Sequence, residues 1–433
     1  MGVTVNSKHL RSVIDYIAAG AMPEKDYTFG VEIEHLPVRN GTDEAVDLYS
    51  ENGVEDFLTQ LRPYFDPERE TWADGHLIGV TRDGIDVSLE PGGQIETSLG
   101  PSVSPAQMEE YYSQFRALAD PVMEKLDFRL VAYGYQPVST YDEIRILPTD
   151  RYRVMNEYFG RIGSYGLQMM RGSAATQVSI DYFSEKDAID KMRVASVIGP
   201  VLAWFFRNTP YFEGRRNVMP LMRQRMWEQG DPQRVGLTPG LFDERFSWED
   251  YAVDVLSTPL LVANMRETPE YEGSEKEFLA WHRNAAEIYP DRELNDYEVQ
   301  HILSTHFNDV RLKNFLEFRH WDSLPIERVR RLTEIIGELF YDRVQFEQLI
   351  RYFDGIKETD VEAAKAMIQS QGASAQPYGR SLNEWRDSLG LGDVRNDVPG
   401  DEHRPHIRQE WGIEARPDPS LQFVEWRPAG NTK

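Results

Sequence analysis

The sequence predicts an α+β fold, and three observations carry that reading. Helical and strand-like segments interleave without the regular βαβ rhythm of a doubly wound sheet. Four short stretches alternate acidic or amide side chains with apolar ones, as half-buried strands do. Between them run apolar stripes at helical spacing, suited to covering one face of a sheet.

Taken in order, the first element is an amphipathic helix over 7–19, with Leu10, Val13, Ile14 and Ile17 on one side. The first acidic strand covers 27–38, and a helix follows over 53–64 through Val54, Phe57, Leu58 and Leu61. Residues 76–98 read as short strands broken at Asp83-Gly84 and at Pro91-Gly92-Gly93. A helix over 105–126, a strand over 128–136 and a long apolar helix over 185–207 come next. The stretch 209–246 is rich in Gly, Pro and Arg and reads as a long functional loop. Helices near 247–256 and 294–304 lead to a fourth strand at 309–319. Val329, Leu332, Ile335, Ile336 and Leu339 then mark a helix over 325–353. The main body is expected over 1–370. Residues 371–433 form a linker and tail on the same body, opening with the linker-like Gln371-Gly372-Ala373-Ser374-Ala375-Gln376-Pro377.

A chain of 433 residues, 40% hydrophobic and 12% aromatic, has the material for a large core. Its 47 basic against 72 acidic residues give a net charge of −25. That balance argues against nucleic acid and against an anionic membrane surface as partners. With no cysteine, disulfides, thiolate metal sites and cysteine nucleophiles are excluded. No run approaches the roughly 20 apolar residues of a membrane span, and Met1-Gly2-Val3-Thr4-Val5-Asn6 lacks a signal pattern. The expectation is a soluble cytoplasmic protein, monomer or homodimer.

The chemistry lies in the four alternating stretches. These are Gly30-Val31-Glu32-Ile33-Glu34-His35, Ser88 to Glu96, Thr176-Gln177-Val178-Ser179-Ile180-Asp181 and Phe315-Leu316-Glu317-Phe318-Arg319. Alternation places Glu32 with Glu34, Gln94 with Glu96, Gln177 with Asp181, and Glu317 with Arg319 on shared faces. Carboxylates about 4 Å apart repel by about 4 kcal/mol at an effective dielectric of about 20. A fold that keeps them together supplies a counter-charge, and all-oxygen donors suit Mg²⁺ or Mn²⁺.

Each stretch has a plainer alternative. A lone Glu-x-Glu is ordinarily an exposed strand. Glu90-Pro91-Gly92-Gly93-Gln94-Ile95-Glu96 is more specific, because its glycines allow a tight turn or a close backbone approach between acids. Arg171, leading small residues into the third strand, is a candidate partner for a carboxylate or phosphate. Arg223, Arg225 and Arg234 around Trp227 read as a solvated charge run or as a clamp on an anionic substrate. Glu317 and Arg319 read as a cross-strand ion pair, or as a metal ligand beside a phosphate-binding guanidinium. His403 and His406 lack a third ligand and read as chance. No G-x-x-x-x-G-K-[ST], H-E-x-x-H or G-x-S-x-G occurs, so ATP chemistry would need another architecture.

Together these blocks resemble the glutamate–cysteine ligases of the plant and proteobacterial type, over residues 29–345. Phe29-Gly30-Val31-Glu32-Ile33-Glu34 is similar to that family's G-x-E-x-E strand, and Glu90 to Glu96 to its E-P-G-G-Q-x-E signature. Met169-Met170-Arg171 with Thr176 to Asp181 resembles M-x-x-T-x-x-x-Q-V-x-x-D. Arg223-Gln224-Arg225-Met226-Trp227 with Asp231, Arg234 and Gly236 resembles R-x-x-x-W…D-x-x-R-x-G. Val310 to Asp322 resembles V-R-L-K-x-Y-L-E-x-R-G-A-D, but His320-Trp321 stands where the family has Gly-Ala.

The resemblance implies a glutamine-synthetase-like catalytic fold whose antiparallel sheet curves into a funnel. It implies ATP with two or three Mg²⁺, for which Mn²⁺ substitutes, and L-glutamate and L-cysteine as substrates. On this reading Glu32, Glu34, Glu90, Glu96 and Glu317 ligate metal. Arg319, Glu317 and Arg171 act in catalysis, while Arg223, Arg225, Gln177, Asp181, Gln94 and Trp227 bind substrate. A ligase of the same fold with another amine acceptor, and a silent ATP-binding protein, are the alternatives.

Overall fold

The computed structural model describes residues 5–263, 282–392 and 394. His403, His406 and the rest of the expected tail lie outside the described residues. The α+β expectation holds. Helices surround one large antiparallel sheet of nine strands. In chain order these are β1 (Phe29–Arg39), β2 (Glu70–Ala73), β3 (His76–Arg82), β4 (Ile85–Leu89), β5 (Ile95–Ser102), β6 (Phe128–Val131), β7 (Ala175–Ile180), β8 (Val310–Leu312) and β9 (Leu316–Asp322). Across the sheet the order is β8-β9-β7-β1-β5-β4-β3-β2, and β6 pairs with the far end of β1.

The register aligns the polar side chains. Glu34 of β1 lies opposite Glu96 of β5, and Glu32 lies between Ser98 of β5 and Gln177 of β7. Ser88 of β4 faces Glu96, and Glu317 of β9 faces Ser179 of β7 on one side and Arg311 of β8 on the other. Because strand side chains alternate, the intervening Val31, Ile33, Val178 and Phe318 go to the opposite face, where all four are buried in the core.

Helices Val54–Leu61, Pro105–Lys125, Glu185–Phe205 and Ile326–Phe340 pack with the strands and with one another around that core. The stripe predicted on the last of them is buried, from Val329 to Leu339. The helix Glu185–Phe205 is buried nearly all round from Ala188 onward, as its apolar composition requires.

The structure departs from the sequence reading where short polar signals act. The strand expected at 309–319 is a hairpin, because Lys313 and Asn314 turn the chain and Lys313 N–H donates to Phe315 O at 2.8 Å. The helix expected over 325–353 stops at Phe340. A second begins at Arg343, where the Asp342 carboxylate caps Val344 and Gln345 N–H. The loop 209–246 contains the helix Met222–Glu228, entered through Leu221 in the left-handed region at φ 52°. The stretch read as a linker is packed. Trp385 in the helix Leu382–Ser388 is buried and donates to Pro377 O at 3.0 Å, and Tyr378 Oη donates to Val197 O at 2.8 Å.

Removing a buried tryptophan of this kind costs about 3–5 kcal/mol. Trp385→Ala is therefore expected to lower the unfolding free energy by that amount, read as a lower midpoint of urea unfolding. An unchanged midpoint would mean that residues 377–391 add nothing to the body.

Candidate active site

A cavity of about 270 Å³ opens on the polar face of the sheet. One end is acidic. Glu32 and Glu34 of β1, Glu96 of β5 and Glu90 in the β4–β5 turn all line it. Glu34 accepts from Ala175 N–H at 2.8 Å and Gln177 Nε2 at 2.9 Å, and Glu96 accepts from the Ser98 and Ser88 hydroxyls at 3.3 and 3.4 Å. Burial, reinforced by their mutual repulsion, raises Glu96 well above the usual carboxylate range and pushes Glu90 up to about 8. Burial likewise raises Glu32, with Glu317 adding repulsion, and raises Glu34 even against the attraction of Arg223 and Arg319.

The other end is cationic. Glu317 is fully buried, with Arg311 at 2.7 Å, Arg319 at 3.1 Å and Lys313 at 3.2 Å from its carboxylate. Burial opposes its charge, but those three cations outweigh it and hold Glu317 well below the usual range. Arg319 also donates to Gln177 Oε1. The indole of Trp227 lies 5.7 Å from the Arg319 guanidinium and 6.0 Å from that of Arg223. Arg223, nearly inaccessible, donates to Arg319 O at 3.0 Å.

Ten of the thirteen residues expected at the site line this cavity, from Glu32 to Arg319, and three do not. Arg171 is spent on structure: it donates to Asn156 Oδ1 at 2.8 Å and to the Tyr141 and Ile144 carbonyls at 3.3 and 3.2 Å. Asp181 stands past the end of β7, where it accepts from Thr28 N–H and hydroxyl at 2.6 and 2.9 Å. Arg225 points away from the cavity, because residues two apart on a helix do not share a face with Arg223 and Trp227. Gln94 lines the cavity but uses its amide to fasten the turn: Gly92 N–H donates to its Oε1 at 2.8 Å, and its Nε2 donates to Ser173 O at 2.8 Å. That turn is glycine-dependent, since a Cβ at Gly92 would lie 2.2 Å from Arg171 O and Gly93 has φ +80°.

Three cations went unassigned at the sequence level. Arg311 and Lys313 fall inside the V-R-L-K block, where β8 being its own strand brings them beside Glu317. Arg151, near the start of the helix Asp150–Phe159, lines the cavity and donates to the Ser304 hydroxyl and carbonyl at 3.0 Å. Its only signal was the Thr149-Asp150 helix start. Trp321, in the His320-Trp321 departure, is core, so neither of that pair lines this cavity.

Among the described residues no three His, Asp or Glu side chains converge on a single metal-sized point. The donor chemistry still fits Mg²⁺, which is commonly held by one or two carboxylates and completed by phosphates and water. Cross-strand pairs such as Glu34–Glu96, beside an open cavity, are of that kind. Glu317 fits least well, since its oxygens already face three cations.

The model of the Glutamate-cysteine ligase family 2 (GCS2) matches residues 28–405. The chain belongs to that family. The chloroplastic glutamate–cysteine ligase of Medicago truncatula is 29% identical over 348 residues, 78% of this chain and 66% of that one. The chloroplastic enzyme of Arabidopsis thaliana is 30% identical over 336 residues, 76% of this chain and 62% of that one. The chain thus spans just under two thirds of the length of these relatives. A crystal structure of the Francisella tularensis glutamate–cysteine ligase in complex with AMP covers 84% of this chain and is covered for 76% of its own, at TM-score 0.48 and 11% identity, too slight a likeness to bear on the site.

Two predictions follow from the electrostatics and the corrected role of Arg171. Glu90 holds its proton up to about 8 when folded and releases it near 4.5 when unfolded, so its contribution falls as pH rises through that window. In magnesium-free buffer Glu90→Gln should flatten the loss of thermal stability between about pH 5 and about pH 8. A slope equal to wild type would rule Glu90 out as its source. Arg171→Met should lower the unfolding free energy in urea by about 2 kcal/mol, and an unchanged value would mean that its bonds to Asn156, Tyr141 and Ile144 do not hold the structure.

Proposed function

We propose that this protein joins the γ-carboxylate of L-glutamate to the amine of L-cysteine at the expense of ATP, giving γ-glutamylcysteine, ADP and phosphate. The observation that carries the reading is the division of one buried sheet face into an acidic and a cationic half, in a chain of the glutamate–cysteine ligase family. Such a face suits a phosphate chain with divalent cations at one end and the transferring group between guanidinium ions at the other.

Glu32, Glu34, Glu90 and Glu96 would hold Mg²⁺. Bound there, Mg²⁺ neutralises phosphate charge and displaces the protons that burial favours. In the first step a γ-carboxylate oxygen of glutamate attacks the γ-phosphorus of ATP. The bond to the β,γ-bridging oxygen breaks and ADP leaves with that electron pair. Arg319, with Arg311 and Lys313 beside it, stabilises charge on the transferred phosphoryl group. In the second step the cysteine amine attacks the acyl carbon of γ-glutamyl phosphate. Inorganic phosphate leaves, and the amine nitrogen gives up one proton to solvent. Arg223 and Trp227 take the glutamate end, with the guanidinium pairing its α-carboxylate. Gln177, bridging Glu34 and Arg319, fixes the boundary between the halves. The reading places the reaction in the cytoplasm. Among the described residues no helix is long and apolar enough to cross a membrane.

The test is ADP release from the purified protein with ATP, Mg²⁺ and L-glutamate, adding each amino acid in turn. Release specific to cysteine, with γ-glutamylcysteine found by mass spectrometry, is the expected result. Release with another acceptor would keep the chemistry and change the substrate, and none with any acceptor would refute the reading. Glu317→Gln should lower kcat by at least about a hundredfold with the fold intact by circular dichroism, because the three cations lose their common anchor. Turnover near wild type would remove Glu317 from the machinery.

A further inference from the structure

Behind the cavity lies a second, far smaller space of about 10 Å³. Arg223, Trp227, Phe307 and Arg319 line both and form the partition between them, while Gln224, Asp309 and His320 complete the lining of the small chamber. Four of these residues bring buried polar atoms with no partner: Arg223 Nε, Trp227 Nε1, both ends of the Gln224 amide and both ring nitrogens of His320. Arg223, Gln224 and His320 are each 5% exposed or less. Buried polar groups are rarely left unpaired, and a chamber of about 10–15 Å³ with two to four polar partners is the size of one water.

We propose that this chamber is a built site for one ordered water, gripped by His320 and Gln224, which fixes Arg223 and Trp227 from behind and makes His320 a positioning residue for the glutamate end of the site. The assignment to glutamate rests on the function proposed above. A water makes up to four hydrogen bonds. Here Arg223 Nε–H and the Trp227 indole N–H donate to it, and it donates to Gln224 Oε1 and to the imidazole nitrogen that faces the chamber. Burial holds His320 down to about 4, so the ring is neutral at ordinary pH. Asp309 is already engaged, its carboxylate 2.9 Å from Lys365 Nζ, and leaves the water to the other side chains. The ring's place is prepared from the core side as well: a Cβ at Gly199 would lie 2.1 Å from His320 Nε2, so the long helix carries glycine where the imidazole rests.

The test compares crystal structures and kinetics of the wild-type chain with His320→Ala, His320→Gln and Gln224→Met. In wild type one water is expected within hydrogen-bonding distance of His320 and Arg223 Nε. In His320→Ala the Arg223 guanidinium shifts and the KM for glutamate rises about tenfold, with the KM for ATP unchanged. His320→Gln, which keeps a donor and an acceptor, stays near wild type. If His320→Ala does not fold, Gln224→Met removes the other grip and carries the same expectation. A wild-type chamber without water, or an unmoved Arg223 and unchanged glutamate KM in the variants, would overturn the proposal. If the protein proves inactive on glutamate the function reading fails, while the water and the Arg223 shift still decide this one.

Discussion

The site depends on one carboxylate being outnumbered. Glu317 sits at zero exposure with Arg311, Lys313 and Arg319 around it. An isolated charge at that depth costs several kcal/mol, and the hairpin of β8 and β9 removes the cost by register. Arg311 lies directly across from Glu317, and Arg319 follows on the same strand. One anion thus collects three cations and leaves an excess of positive charge at one end of the sheet face. The four glutamates on β1, β5 and the β4–β5 turn are its complement. Neither half is settled alone. The cations await an anion, and the glutamates are pushed toward their protonated forms.

The strands were legible because a half-buried strand must alternate, as β4 does throughout and β1 and β5 do over the stretches that carry their glutamates. Nearly all of the acidic half could be read from that period alone. What period two cannot express is a turn inside a stretch of similar composition. The hairpin at Lys313-Asn314 therefore looked like one strand, and Arg311 and Lys313 went unassigned. Arg171 was misplaced for a related reason. A strand-leading arginine has the same local pattern whether it faces a ligand or three protein oxygens. The difference lies in Asn156, Tyr141 and Ile144, residues 15 to 30 positions away. Asp181 shares a parity with Gln177, but β7 has ended before it and Thr28 takes its carboxylate.

The partition that includes Arg223, Trp227 and Arg319 is held by two helices that the sequence pattern did not mark, Met222–Glu228 and Glu358–Gln371. Trp227 belongs to a helix inside the stretch read as loop. Lys365, from the helix Glu358–Gln371, reaches Asp309 at 2.9 Å and Glu228 at 3.1 Å while almost wholly inaccessible itself. Asp309 O in turn accepts from Arg319 N–H at 3.0 Å. One lysine thus ties the helix bearing Trp227 to the strand bearing Arg319. Such ties resist water because every charge in them is paired.

The distance along the chain between the two halves bears on how the protein is made. β1 pairs with β5 early in the sequence, whereas Ser323 at the end of β9 reaches back to Glu34 O across 289 residues. Closing so long a loop is entropically late. In a nascent chain Glu32, Glu34, Glu90 and Glu96 are therefore made well before Arg311, Lys313 and Arg319, which balance them. Through that interval the growing sheet carries uncompensated acid, and dissolved divalent cations are the counter-charge at hand.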